Sequence, residues 1–131
     1  MPERMLSKSK ILVVEDNDFV RMQLARYLED AGHEVIEATD GLKAQEILKP
    51  DISLVVLDVR MAPIDGFEFI KALHSKNLQT PVILVTGDNN PDLLSEASRW
   101  HVSAVLMKPV QKDRLLKMVS RAIQLRSKLM S

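Results

Sequence analysis

Ser53-Leu54-Val55-Val56-Leu57-Asp58 is an apolar run closed by a single carboxylate. Its length and β-branched content fit a strand buried on both faces, the kind found inside parallel sheets. In such sheets ligands and chemistry gather at the carboxyl ends of the strands. Asp58 is therefore expected on a rigid base at that edge.

Comparable runs lie on either side. Lys10 to Val14 (KILVV) leads into Glu15-Asp16-Asn17-Asp18, and His33 to Ala38 carries Val35 and Ile36. Val82 to Val85 leads to Thr86, and Ser103 to Met107 leads to Lys108-Pro109. Between them, apolar residues recur at helical spacing. Val20, Leu24, Leu28 and Ala31 mark a first helix, which Asp16, Asn17 or Asp18 can cap and Gly32 can close. Ala44, Ile47 and Leu48 mark a short second helix stopped by Pro50 and Asp51. Phe67, Ile70 and Leu73 mark a third, and Leu93, Leu94 and Ala97 a fourth after the loop Gly87-Asp88-Asn89-Asn90-Pro91. A last helix starts near Gln111. Five strands alternating with five helices predict an α/β fold with a parallel sheet, helices on both faces and right-handed crossovers. Glu15, Asp16, Asp58, Thr86 and Lys108 then share one sheet edge.

The composition narrows the function classes. The 131 residues suffice for one domain with a core. Lys+Arg and Asp+Glu are both 18, which gives no electrostatic case for nucleic-acid or membrane binding. With no cysteine there is neither a disulfide nor a thiolate metal site. No apolar stretch approaches the ~20 residues of a membrane span. Met1 to Lys10 lacks the apolar centre of a secretory signal. A cytoplasmic location is the simplest expectation.

Four motifs in order, VVEDN at the first strand end, VLDVRM with a later Asp65-Gly66 at the third, VTG at the fourth and MKP at the fifth, resemble the receiver domain of bacterial two-component response regulators. The resemblance covers residues 10–125, with residues 1–9 as a head and 126–131 as an extension of the last helix. It implies a flavodoxin-like (βα)5 sandwich with strand order 2-1-3-4-5 and a site at the switch between strands one and three. It also implies roles. Asp58 matches the phosphoacceptor, a carboxylate that is a nucleophile without needing deprotonation at neutral pH. Glu15 and Asp16 match the acidic pair. Three carboxylates in one pocket call for a cation, and oxygen-only donors suit Mg2+, or Mn2+ in its place. Asp16 and Asp58 are expected to ligate directly, Glu15 partly through water, and Arg60 through its main-chain carbonyl. Thr86 and Lys108 match the hydroxyl and ammonium that meet phosphate oxygens, and Pro109 matches a cis proline that aims the lysine. The implied partners are a sensor histidine kinase or phosphotransfer protein upstream, and a downstream effector on the fourth-helix, fifth-strand, fifth-helix face. Homodimerisation on phosphorylation is left open. The protein is expected to be a switch with self-catalysed phosphorylation and slow autodephosphorylation, not an ordinary enzyme.

Departures from the pattern bear on output. Val105 stands where the family has an aromatic switch. Ala62 stands where proline is usual, with Pro63 one place later. His101 stands where glycine is frequent, beside Trp100, the only tryptophan. Arg60 and Asp88, two residues after Asp58 and Thr86, carry opposite charges and are expected to pair across the site entrance. His33, His74 and His101 read as surface residues. Tyr27 and the phenylalanines read as core or core-edge, and Asp18 as helix-terminal charge. The last helix carries Leu115-Leu116, Val119, Ala122-Ile123 and Leu129-Met130, with a polar, basic stretch from Gln124 expected to fray. The principal rival is a degenerate receiver that acts as a phosphorylation-independent interaction module, for which Val105 and the odd loop speak. An aspartate-nucleophile phosphatase would want a second acid where Arg60 stands. A flavodoxin-like cofactor protein would not place an acidic run after its first strand.

Overall fold

The computed structural model describes residues 9–130. Strands β1 (Lys10–Val14), β2 (Glu34–Ala38), β3 (Leu54–Asp58), β4 (Val82–Thr86) and β5 (Ala104–Met107) alternate with helices α1 (Asp18–Asp30), α2 (Gly41–Ile47), α3 (Gly66–Ser75), α4 (Pro91–Arg99) and α5 (Lys112–Met130). Each strand pair is parallel, and the sheet order is β2-β1-β3-β4-β5. This is the expected flavodoxin-like topology. The head before Ser9 and the side chains of Leu129 and Met130 lie outside the described residues.

The sheet divides the core in two. Alternate residues of β3 supply both halves, as the period of a strand requires. Val55 and Leu57 join Leu12, Leu84 and the buried faces of α2, α3 and α4. Leu54 and Val56 join Ile11, Ile83, Leu24 and Leu28 of α1 and Leu115 and Val119 of α5. Every residue of β3 and β4 is buried. Their carboxyl ends, Asp58 and Thr86, are thus rooted in the best-packed part of the molecule.

Local chemistry sets the helix starts. The Asn17 side chain accepts from the Val20 amide at 3.0 Å and caps α1, so of the three candidates Asn17 takes that role and Asp16 is left for the pocket. Asp65 and Glu68 form a reciprocal capping box on α3. Asn90 caps α4, which opens on Pro91. Gly32, at φ 93°, closes α1 in the left-handed conformation expected of it.

The structure corrects several helix faces. On α3 the buried stripe is Gly66, Phe69, Ile70 and Leu73, with Phe67 only half-buried. These positions are i, i+3, i+4 and i+7, and the stripe begins at a glycine that carries no hydrophobic signal. Phe19 is neither core nor core-edge: it sits in the first turn of α1 and is 78% exposed. Leu94 is also exposed, and Ala25 takes the buried place on α1 that was expected for Ala31. His33 is half-buried, and burial pulls its imidazole below the usual histidine range. The polar end of α5, expected to fray, has helical geometry. The helix continues to Met130, and Arg126 donates through Nη1 to the carbonyls of Ile52 (3.1 Å) and Ser53 (3.2 Å) at the amino end of β3.

Gly66 touches the strand that carries Asp58. A Cβ at Gly66 would stand 2.9 Å from the Asp58 carbonyl oxygen and 3.0 Å from Val59 Cα. Both are backbone atoms and cannot step aside. The Gly66 amide also donates to the Val59 carbonyl at 2.8 Å. Gly66→Ala should therefore destabilise the domain by about 1–3 kcal/mol, the usual scale of overpacking. Gly87→Ala, where an added Cβ meets nothing within 4 Å, should be nearly neutral. Urea unfolding of the two variants beside the parent checks this.

Candidate functional site

The carboxyl ends of β1, β3, β4 and β5 surround one pocket of about 440 Å3, lined by Glu15, Asp16, Asn17, Asp58, Arg60, Thr86, Gly87, Asp88 and Lys108. It lies where the chain order reverses between β1 and β3. Each expected site side chain reaches it, while Pro109 and Val105 lie along β5 and the turn beyond.

Glu15 and Asp58 are buried, at 1% and 4% exposure, whereas Asp16 is exposed. Oxygens of all three carboxylates lie within 4.8 Å of one another. One ammonium answers them: Lys108 Nζ stands 3.0 Å from Glu15 Oε1 and 3.4 Å from Asp58 Oδ1. Glu15 Oε2 accepts from the Asn17 amide at 3.0 Å. Its Oε1 is buried and takes no well-angled hydrogen bond, only the ionic contact with Lys108.

Burial is the main force on both buried carboxyls and lifts them above the ordinary range. The Asn17 amide and Lys108 oppose it at Glu15, and Lys108 opposes it at Asp58. The nearby charge of Asp58 raises Glu15 further, as that of Asp16 raises Asp58. Burial works against the Lys108 charge as well, but Glu15 and Asp58 outweigh it and hold the ammonium above its usual value. The cluster thus carries more negative charge than its one resident cation offsets. A donor set of carboxylate oxygens with an under-bonded buried oxygen fits a hard divalent cation such as Mg2+, not a thiophilic metal.

The rim has its own order. The Thr86 hydroxyl accepts from the Asp88 amide at 3.0 Å and donates to the Asp88 carbonyl at 3.3 Å. It is engaged with its own loop and not with Asp58. The Arg60 guanidinium, on the loop after β3, pairs with the Asp88 carboxylate across the mouth. That contact pulls the Asp88 carboxyl below its usual range. The Lys108–Pro109 peptide bond is cis, as expected, and so is Ala62–Pro63.

Sequence reasoning missed two supports. Arg21 donates through Nη1 to the Glu15 carbonyl at 2.9 Å while pairing with Asp18 and Glu37, so α1 and β2 both brace the acidic turn. Its place one turn beyond the acidic run was the available signal. Gly66 was the other, visible only as half of an Asp-Gly turn.

A doubly wound parallel sheet with an acidic pocket at its switch point defines the molecule as a flavodoxin-like α/β domain built to hold charge at one edge. The match is specific: the model of the response regulator receiver domain covers residues 11–120, and the chain belongs to that family, the receivers of two-component systems. Among similar proteins, the C4-dicarboxylate transport transcriptional regulatory protein DctD of Pseudomonas aeruginosa is 33% identical over 92% of this chain, which spans 26% of DctD's length. The chemotaxis protein CheY of Listeria monocytogenes is 31% identical, covering 86% of this chain and 97% of that protein. The structure of Vibrio cholerae CheY4 superposes with a TM-score of 0.81 at 31% identity, over 88% of this chain and 99% of that one. Among the described residues no helix is long and apolar enough to cross a membrane.

The charge imbalance has a measurable consequence. Asp58→Asn removes one buried carboxylate and leaves Lys108 its contact with Glu15. In chelator the variant should be more stable than the parent, by ~1 kcal/mol on the ordinary scale of single substitutions. Millimolar Mg2+ should raise the melting temperature of the parent and do little for the variant. Thermal melts with and without Mg2+ read both effects.

Proposed function

We propose that this receiver is a phosphoryl-operated interaction switch, with Asp58 as the phosphoacceptor. The observation that carries the reading is the clustering of Glu15, Asp16 and Asp58 at the carboxyl edge of a buried sheet, with Lys108 against Glu15 and Asp58. An Asp58 carboxylate oxygen attacks the phosphorus of a phosphohistidine on a sensor kinase or phosphotransfer protein. The phosphorus–nitrogen bond breaks, the imidazole leaves with a proton from water, and an acyl phosphate forms. Asp16, Asp58 and the Arg60 carbonyl would hold Mg2+ or Mn2+, with Glu15 acting partly through water. The ion supplies positive charge to phosphate oxygens as they gather charge in the transition state.

The protein's own groups do the rest. Lys108 is held at the pocket by Glu15 and offers its ammonium to a phosphate oxygen as a point charge. Thr86 exchanges its bonds with the Asp88 backbone for a phosphate oxygen, which loosens the loop after β4. That change reaches the face built by α4, β5 and α5, where an effector, or a second copy of the chain, would bind. It is a two-state shift of population, biased by the phosphoryl group. Val105 is half-buried and packs against the core below that face. With no aromatic ring to reorient there, the signal would pass through the loop itself. Cytoplasmic location follows from the proposed kinase partner.

Incubation with Mg2+ and acetyl phosphate should add one phosphoryl group to the parent and none to Asp58→Ala, read by intact mass. If no phosphoryl group appears and a beryllofluoride mimic also fails to bind, the protein is instead a phosphorylation-independent module.

The Arg60–Asp88 pair is proposed to restrict the water that hydrolyses the acyl phosphate. A surface pair contributes only ~0–1 kcal/mol to stability, so its effect is on access. Arg60→Asp or Asp88→Arg alone should shorten the phosphate lifetime by several-fold, and the double reversal should restore it. The substitution at Arg60 leaves its main-chain carbonyl in place. Equal lifetimes in all four proteins would sink the idea.

A further inference from the structure

A second cleft opens at the other end of the sheet, under the amino ends of β4 and β5. It holds about 520 Å3, a volume suited to a small organic molecule. Its walls are the carboxyl-terminal ends of α3 and α4 and the last turns of α5. Nothing in the proposed phosphotransfer uses it.

Three features of this cleft point to one ligand chemistry. The first is charge: among the described lining residues there is no aspartate or glutamate, while Arg126 supplies a fixed cation and His74 and His101 supply ring nitrogens. Arg126 is anchored, since its Nη1 is held by the Ile52 and Ser53 carbonyls, and its Nε is buried without a partner. The second is an apolar wall. Trp100 lines the cleft, its indole oriented by Glu96 Oε2 at 3.0 Å and met edge-on by His74 at a centroid distance of 5.5 Å. The exposed Leu125 side chain borders the same space.

The third feature is backbone conformation. Among the described residues, just two non-glycine residues have positive φ, Asn77 (59°) and His101 (57°), and both line this cleft. Both close their helices as left-handed C′ residues, with the Leu78 and Val102 amides donating back to the Leu73 and Ala97 carbonyls, so the conformation itself belongs to the helix ends. Here side chains with nitrogen donors stand at both places. Thr80, 4% exposed, also lines the cleft, and its hydroxyl has no hydrogen-bond partner.

We propose that this cleft binds a small organic anion, a phosphate or carboxylate carried on a planar apolar body. The anionic head meets Arg126, with His101 and Asn77 as further donors, and the planar body lies along Trp100 and Leu125. Because α4 and α5 form part of its walls, occupancy would be felt by the same helices that frame the output face.

The probes are AMP and 2-naphthoate, with adenosine and 2-naphthalenemethanol as their uncharged counterparts. Calorimetry on the full chain measures affinity, and Trp100 fluorescence reports occupancy, since the chain has one tryptophan. At least one anion should saturate below about 1 mM and bind about tenfold tighter than its uncharged counterpart. Arg126→Gln should weaken that anion about tenfold. The anion that wins tells phosphate from carboxylate. Should Arg126→Gln fail to fold, His101→Gly carries the comparison, because glycine relaxes the backbone there while removing the side chain. The proposal is overturned if neither anion saturates below about 1 mM. It is equally overturned if the uncharged counterpart binds as tightly, or if the folded variant binds as tightly as the parent.

Discussion

Three carboxylates face one ammonium at the carboxyl edge of the sheet, and two of the three are almost fully buried. Such a cluster persists because Lys108 neutralises part of it and the packing of the fold beneath offsets the rest. Glu15 continues β1, with its amide bonded to Ala38 and its carbonyl held by Arg21. Asp58 ends a strand buried along its whole length. Lys108 follows β5 and is tied by its amide to the Thr86 carbonyl at 2.8 Å. Side chains on such bases cannot relax away from one another. The energy that a cation or a phosphoryl group can recover is thus already present in the resting fold.

The strand β3 is held at both ends by groups far away in sequence. At its carboxyl end Gly66 comes against the Asp58 and Val59 backbone, which ties the start of α3 to the acidic pocket. At its amino end Arg126 of α5 closes on the Ile52 and Ser53 carbonyls. The first contact depends on the absence of a side chain and the second on a long one. Together they make β3 a strut between two clefts, one acidic and one with a cationic rim.

The proposed switching would fall to what remains. The loops after β3 and β4 are joined by Arg60 and Asp88, and Thr86 is held by the backbone of its own loop. Breaking either contact costs little, because each involves exposed or replaceable partners, whereas the strands beneath are close-packed. A switch of the proposed kind would change its rim while its base stays fixed.

The parallel sheet and the gathering of its strand ends on one edge were legible in the residues themselves. The order 2-1-3-4-5, which sets Glu15 and Asp16 beside Asp58, came from the resemblance of the four motifs to the receiver family. Runs such as LVVLD and VILVT can be buried on both faces only in a covered parallel sheet, and that sheet brings its strand ends together whatever the helices do. Asp58, Glu15, Asp16, Thr86 and Lys108 were accordingly placed on that edge. What the tertiary structure decided is what depends on rotation and distance. Phe69 rather than Phe67 faces the core because Gly66, silent in any hydrophobic pattern, sets the phase of α3 against β3. Phe19 lies outside because it stands on the face of α1 turned away from Leu24 and Leu28. Thr86 bonds to Asp88 because the loop geometry, invisible in the sequence, puts an amide within its reach. The polar end of α5 is tied to the sheet where Arg126 meets two carbonyls 73 and 74 residues away. Periodicity records which residues avoid water; it carries no information on which distant backbone group a given side chain will meet.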